Sequence, residues 1–220
     1  MHKKQPVLDA LLQQRLLPLF YHDDVKTSIN ILRSLYDAGI RLLEYTNRGP
    51  NALVNFAAMK KEASLSMPGL QLGIGTIKNE SQAARYLEAG ADFIVCPTIE
   101  PAVGKITHEA GLLWIPGCLT PTEISKAEEA GAKLVKIFPG NLVGPSYITA
   151  IRDLFPGMLF MPTGGVDTTK ENLKAWFDAG VVAVGMGSKL VSGKLVDKGD
   201  FDGIRDLTRE AIVNIKSVFS

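Results

Sequence analysis

The chain has 220 residues, of which 46% are hydrophobic and 21% charged, and its 24 Lys and Arg against 23 Asp and Glu leave a net charge of +1. That supplies ample apolar material for a buried core and excludes a disordered chain; the charge balance excludes the basic footprint of a nucleic-acid or anionic-membrane binder. Two cysteines, Cys96 and Cys118, are too few for a disulfide framework and read as buried free thiols.

Met1-His2-Lys3-Lys4-Gln5-Pro6 leads into an amphipathic segment, predicted as a helix over about 7–15. No apolar signal region or small-residue cleavage site follows, and no apolar run approaches the length of a membrane span. A soluble cytoplasmic protein is the expectation. Eight short apolar runs then succeed one another, at 16–20, 41–45, 71–76, 93–97, 113–118, 133–138, 158–163 and 181–187. They are mostly continuous, as strands buried on both faces should be. Between them lie helical periods, such as 25–36 with apolar residues at 29, 31, 32 and 35.

Helix boundaries are written into the chain. Thr120-Pro121-Thr122-Glu123 reads as a capping box with proline at the first helical position, and Asn79 can cap the helix that follows it. Ala-Gly recurs at 38–39, 89–90, 110–111, 130–131 and 179–180, each time just before an apolar run. Glycine there supplies the left-handed turn that ends a helix. Eight strands alternating with helices imply an α/β fold with a parallel sheet. The count favours a single (β/α)8 barrel domain over 1–220 with an extra N-terminal helix, closed by a helix at about 202–218. An open doubly wound sheet is the alternative. It would need a glycine-rich dinucleotide or phosphate-loop fingerprint, and Gly73-Ile74-Gly75 and Gly185-Met186-Gly187 both lack the third glycine.

In such a barrel, chemistry sits at the C-terminal ends of the strands. Two charges interrupt apolar runs there: Glu44 in Leu42-Leu43-Glu44-Tyr45, and Lys136 in Leu134-Val135-Lys136-Ile137-Phe138. A charge between the packed interior and the helix layer is costly unless paired or used. A structural Glu–Lys pair is the plain alternative to a catalytic one. Lys133 begins the same run on the opposite face and is assigned to solvent or the bottom rim. Thr46-Asn47-Arg48, Thr76 and Thr163-Gly164-Gly165 follow other strands, and Gly185-Met186-Gly187-Ser188 ends the eighth. Glycine-rich turns after strands seven and eight suit a phosphate group.

His2, His22 and His108 are scattered without metal-ligand spacing, so no metal is expected. His22 follows the first strand and could face the site, but a lone histidine near a loop is usually a surface residue. Trp114 and Trp176 read as core, and Lys60-Lys61-Glu62 as a solvated face. A lysine in a dry pocket can attack a ketone as a free amine, a carboxylate can shuttle protons, and arginine suits a carboxylate ligand. The kit fits imine-forming cleavage of a phosphorylated keto acid, with no cofactor beyond the covalent lysine. A phosphate-binding barrel isomerase or epimerase using Glu44 as base is a second reading, and a non-catalytic sugar-phosphate binder a third.

The sequence resembles the class I 2-keto-3-deoxy-6-phosphogluconate (KDPG) and 4-hydroxy-2-oxoglutarate (KHG) aldolases over most of its length, from about residue 16 to 211. The resemblance rests on Leu43-Glu44-Tyr45-Thr46-Asn47-Arg48, Gly73-Ile74-Gly75-Thr76, Cys96-Pro97, Ile115-Pro116-Gly117, Val135-Lys136-Ile137-Phe138-Pro139, Pro162-Thr163-Gly164-Gly165-Val166 and Gly187-Ser188. It implies Lys136 as the Schiff-base lysine, Glu44 as the proton shuttle, and Arg48 and Thr76 as ligands of the pyruvate portion. Gly164, Gly165 and Ser188 would hold the phosphate, and Pro97, Thr163 and Gly187 would complete the substrate site. It also implies a homotrimer. Two loops depart from the family pattern, at Gly140-Asn141 and at Gly185-Met186-Gly187-Ser188.

Overall fold

Strand and helix alternate along the computed structural model, which describes residues 4–219; Met1, His2, Lys3 and Ser220 lie outside the described residues. The order is α1 (Lys4–Gln14), β1 (Leu16–Phe20), α2 (Val25–Asp37), β2 (Leu42–Thr46), α3 (Ala52–Ser66), β3 (Gln71–Gly75), α4 (Glu80–Glu88), β4 (Phe93–Val95), α5 (Pro101–Glu109), β5 (Leu113–Ile115), β6 (Gly117–Cys118), α6 (Pro121–Glu129), β7 (Leu134–Ile137), α7 (Gly140–Ile151), β8 (Leu159–Pro162), α8 (Lys170–Asp178), β9 (Val184–Met186), α9 (Gly193–Asp197) and α10 (Phe201–Val218).

The strands form two parallel sheets rather than one. Six run in the order β5-β4-β3-β2-β1-β9 and three in the order β6-β7-β8. The run at 113–118, expected as one strand, divides at Pro116. Proline has no N–H to give a ladder, and here its carbonyl accepts from the Lys136 N–H (2.8 Å). The chain thereby changes partner, from β4 (Phe93 opposite Leu113) to β7 (Gly117 opposite Lys136). On the other side the sheets meet through a single parallel bridge between Thr163 and Gly185, with the Val182 N–H donating to the Phe160 carbonyl.

Side chains alternate between two buried layers. Leu43, Tyr45, Val135 and Ile137 join the cluster between strands and helices. Leu42, Phe93, Val95, Leu113, Ile115, Leu134 and Met161 form a second cluster with Val7, Leu8 and Leu11 of α1. The period of two thus sorts each strand, and α1, which begins at Lys4 rather than 7, seals one end. Each large side chain removed from water in this way contributes roughly 1.5–3 kcal/mol.

The expected caps are present. Thr120 and Glu123 form the reciprocal box, and the Asn79 side chain accepts from the Gln82 N–H. The glycines of all five Ala-Gly pairs lie at positive φ, between +71° and +106°. Trp114 and Trp176 are core residues, and both cysteines are buried and free, with burial pushing each thiol up to about 12. The solvated reading holds for Lys61, which is exposed, and for Glu62, whose pairing with Arg33 (2.8 Å) faces solvent; it needs correction at Lys60, which pairs with the mostly buried Asp92 (2.6 Å).

Candidate active site

The alternation that buries Leu42 and Leu134 puts Glu44 and Lys136 two residues further along the same inner faces. Their apolar neighbours seal one end of the interior; the polar pair lies toward the C-terminal ends of β2 and β7. The Lys136 Nζ is 3.8 Å from the Glu44 Oε1, with the Glu44 side chain 1% and the Lys136 side chain 7% exposed. Neither Glu44 oxygen has a hydrogen-bond partner among the described residues. A buried carboxylate without such partners is costly to ionise. Burial accordingly raises the Glu44 pKa, against the opposing pull of the Lys136 and Arg48 charges. The Lys136 ammonium also lies 5.2 Å from the Phe138 ring centroid, within cation–π range. Lys133 is exposed, as its place at the strand's start requires. Its charge helps lower the pKa of Lys4 in α1, after burial.

Three glycines on inner faces make room for this arrangement. A Cβ at Gly73 would strike the Phe93 ring, one at Gly75 the Glu44 carboxylate, and one at Gly185 the Thr163 hydroxyl. Gly73-Ile74-Gly75 therefore has a purpose unrelated to a nucleotide loop: each glycine is a seat for a neighbour's side chain. Thr163 Oγ1 is buried and, like the Glu44 oxygens, has no hydrogen-bond partner among the described residues. Gly75→Ala is expected to displace the carboxylate and reduce kcat by about 100-fold. Overpacking of this kind destabilises by roughly 1–3 kcal/mol. Steady-state kinetics and urea denaturation of the variant check both numbers.

A cleft of about 390 Å³ opens at this end and is lined by Arg48, Thr163, Gly164, Gly187 and Ser188, together with Phe138. Glu44, Lys136, Thr76, Pro97 and Gly165 fall outside that lining, the first two being buried beside it. Thr76 sits just after β3 with φ +62°, an uncommon conformation for a β-branched residue and a local strain. The Pro97 carbonyl packs against Gly117, where a Cβ would collide with it. Gly164 and Gly165 are consecutive residues at positive φ (+93° and +74°). Such a turn exposes backbone N–H groups to an anion. Gly165 packs on Asn141, with no space for a Cβ. The two departures from the family pattern thus fall on this end of the cleft, one against Gly165 and one carrying Ser188.

Tyr21 and His22 also line the cleft, and the surface reading of His22 is corrected. Their signal in the sequence was their place directly after the first strand. Among the described residues no group of three or more His, Cys, Asp or Glu could hold a metal ion.

The family model described as KDPG and KHG aldolase matches residues 7–207. A 2-dehydro-3-deoxy-phosphogluconate aldolase of Treponema pallidum is 30% identical over 94% of this chain and 96% of its own length. A probable 2-dehydro-3-deoxy-6-phosphogalactonate aldolase of Rhizobium meliloti is 32% identical over 73% of this chain and 74% of its own. The 2-keto-3-deoxy-6-phosphogluconate aldolase of Zymomonas mobilis, solved with 3-phosphoglycerate, superposes with a TM-score of 0.80 at 26% identity, covering 94% of this chain and 95% of that one.

Proposed function

The chain belongs to the KDPG and KHG aldolase family, and on that footing we propose that Lys136 is its imine-forming residue and Glu44 its proton shuttle. The enzyme is an aldolase, a carbon–carbon lyase. The substrate in this reading is 2-keto-3-deoxy-6-phosphogluconate, split into pyruvate and glyceraldehyde 3-phosphate, with 4-hydroxy-2-oxoglutarate as a second substrate giving pyruvate and glyoxylate. The carrying observation is the buried Lys136–Glu44 pair at 3.8 Å, with both carboxylate oxygens lacking hydrogen-bond partners.

The Lys136 amine attacks the C2 ketone to give a carbinolamine, which loses water to a protonated imine. Glu44 takes the C4 hydroxyl proton as the C3–C4 bond breaks. The bonding pair moves into the imine to form an enamine, and the aldehyde departs. Protonation at C3 and hydrolysis then free pyruvate and restore the amine. The imine supplies the electron sink, so no metal enters the scheme. Arg48 and Thr76 hold the pyruvate carboxylate; Gly164, Gly165, Gly187 and Ser188 hold the phosphate, with Pro97 and Thr163 on the walls.

The same reading takes the two sheets as one eight-stranded barrel in a single domain. Strands β5 and β6 count as one strand bent at Pro116, and the Thr163–Gly185 bridge closes the ring. It also takes the molecule as a cytoplasmic homotrimer; no helix among the described residues is long and apolar enough to cross a membrane.

The division of labour is testable with two substrates. Ser188→Ala removes about one charge-assisted hydrogen bond, worth about 1.5–3 kcal/mol, and kcat/KM for the phosphorylated substrate should fall about tenfold to 100-fold. The unphosphorylated keto acid never makes that bond and should lose little. Arg48→Ala should impair both, because both share the α-keto acid head, and Arg48→Lys should rescue poorly for want of a planar fork. Equal losses on the two substrates in Ser188→Ala would overturn the phosphate assignment.

A further inference from the structure

Arg48 is exposed, and its guanidinium makes no hydrogen bond or ion pair with the described residues. What fixes its place is therefore the backbone that carries it, the loop 47–51 between β2 and α3. One side of that loop is tied to β3 and to α4. The Asn47 N–H donates to the Gly75 carbonyl (2.9 Å), and the Tyr86 hydroxyl donates to Asn47 Oδ1 (2.8 Å).

The other side is tied to the loop after β1 through one carboxylate. Asn51 Nδ2 donates to Asp23 Oδ2 (3.0 Å), and the Tyr21 hydroxyl donates to Asp23 Oδ1 (2.5 Å). Burial, then the Asp23 carboxylate, raise the Tyr21 pKa and keep the phenol a donor. The β1–α2 loop is itself anchored from below. The Tyr45 hydroxyl and Asn55 Nδ2 both donate to the His22 carbonyl (2.8 and 3.1 Å), and Asn55 Nδ2 also reaches the Asp23 carbonyl (2.8 Å). Gly49, the residue after Arg48, packs so closely on Tyr21 that a Cβ there would overlap the hydroxyl. Two loops from two strands thus close on each other, with Asp23 as the shared acceptor and Arg48 at the cleft edge.

We propose that Asp23 is a positioning residue for substrate binding: its carboxylate clasps Tyr21 to Asn51 and so holds Arg48 where the keto-acid carboxylate docks. This rests on the assignment of Arg48 above. The clasp is built of solvent-facing bonds that contribute little to global stability. A purely structural role and a positioning role therefore predict different readouts.

The test measures the pyruvate concentration that half-saturates borohydride trapping, together with KM, kcat and Tm. The proteins are wild type, Asp23→Ala, Asp23→Asn, Gly49→Ala, Arg48→Ala and the Asp23→Ala/Arg48→Ala double variant. Asp23→Ala and Gly49→Ala, which release the clasp from opposite sides, should each raise half-saturation and KM about tenfold, with kcat and Tm near wild type. Asp23→Asn keeps an acceptor for Tyr21 and should be intermediate. In the Arg48→Ala background, Asp23→Ala should add nothing. If Arg48→Ala is impaired while Asp23→Ala and Gly49→Ala bind pyruvate like wild type, the clasp is rejected and the arginine assignment stands. An undiminished Asp23→Ala effect in the double variant, or a loss confined to Tm, likewise rejects it in favour of a structural role. If Arg48→Ala itself binds and turns over like wild type, the arginine assignment fails and the clasp fails with it.

Discussion

Lys136→Ala should be folded and inert, with turnover lower by on the order of 10⁴-fold or more, since the covalent route is lost with its nucleophile. No borohydride-stable adduct with pyruvate should form at that position. The protein should remain folded because the Lys136 side chain makes no hydrogen bond that another element depends on, the backbone bond to Pro116 survives the substitution, and the truncation leaves a carboxyl group already disposed by burial to hold a proton. Lys133→Ala is the control. Lys133 starts the same stretch, is exposed, and faces away from the interior, so its loss should leave trapping at the wild-type level. Mass spectrometry of the trapped protein reads the site directly. An adduct that persists in Lys136→Ala and disappears in Lys133→Ala would reverse the face assignment.

That face assignment was legible in the sequence because strand alternation is a strong rule. Leu134 and Leu42 mark the inner face, and Lys136 and Glu44 follow each by two. The ends of elements were legible for a similar reason. A glycine at positive φ after a helix, or a threonine and glutamate reaching back to cap one, is a local demand that one or two residues satisfy. Three features were not legible. Pro116 lies within an apolar run, and nothing local says that the chain changes sheets there. Gly73, Gly75 and Gly185 look like fragments of a nucleotide loop. Their real constraint is a collision with Phe93, Glu44 or Thr163, residues brought beside them only by sheet register. Tyr21 and Asp23 look like the ordinary polar start of a loop, because their partner Asn51 is 28 residues beyond Asp23. The cleft follows the same division. The turns after the last two strands announce themselves through glycine, whereas Tyr21 and His22 are marked only by their place directly after the first strand.

Glu44→Gln should separate catalysis from stability, because one buried proton enters both. On the catalytic side, the amide cannot accept the C4 hydroxyl proton, and loss of a positioned general base lowers kcat by about 10²–10⁴-fold. Wild-type kcat should fall on the acid side at a pH above the ordinary carboxylate range, because burial raises this carboxyl and only its ionised form is a base. That limb should be missing from the Gln variant. On the stability side, the sign follows from proton counting. Between the ordinary value of 4.5 and the raised one, the unfolded chain has released its proton while the folded chain still holds it. The folded state then binds more protons, so its stability falls as pH rises through that window. The slope is at most about 1.4 kcal/mol per pH unit for one group. Glu44→Gln has no proton to bind and lacks the slope. Wild type should therefore lose ground against the variant as pH rises through the window, and the difference should be flat below it. Urea denaturation of both proteins from pH 4 to about pH 8 measures the difference. Parallel stability curves would mean that Glu44 titrates alike in the folded and unfolded chain, contrary to its burial, and a near-wild-type kcat in the variant would take the proton shuttle away from this residue.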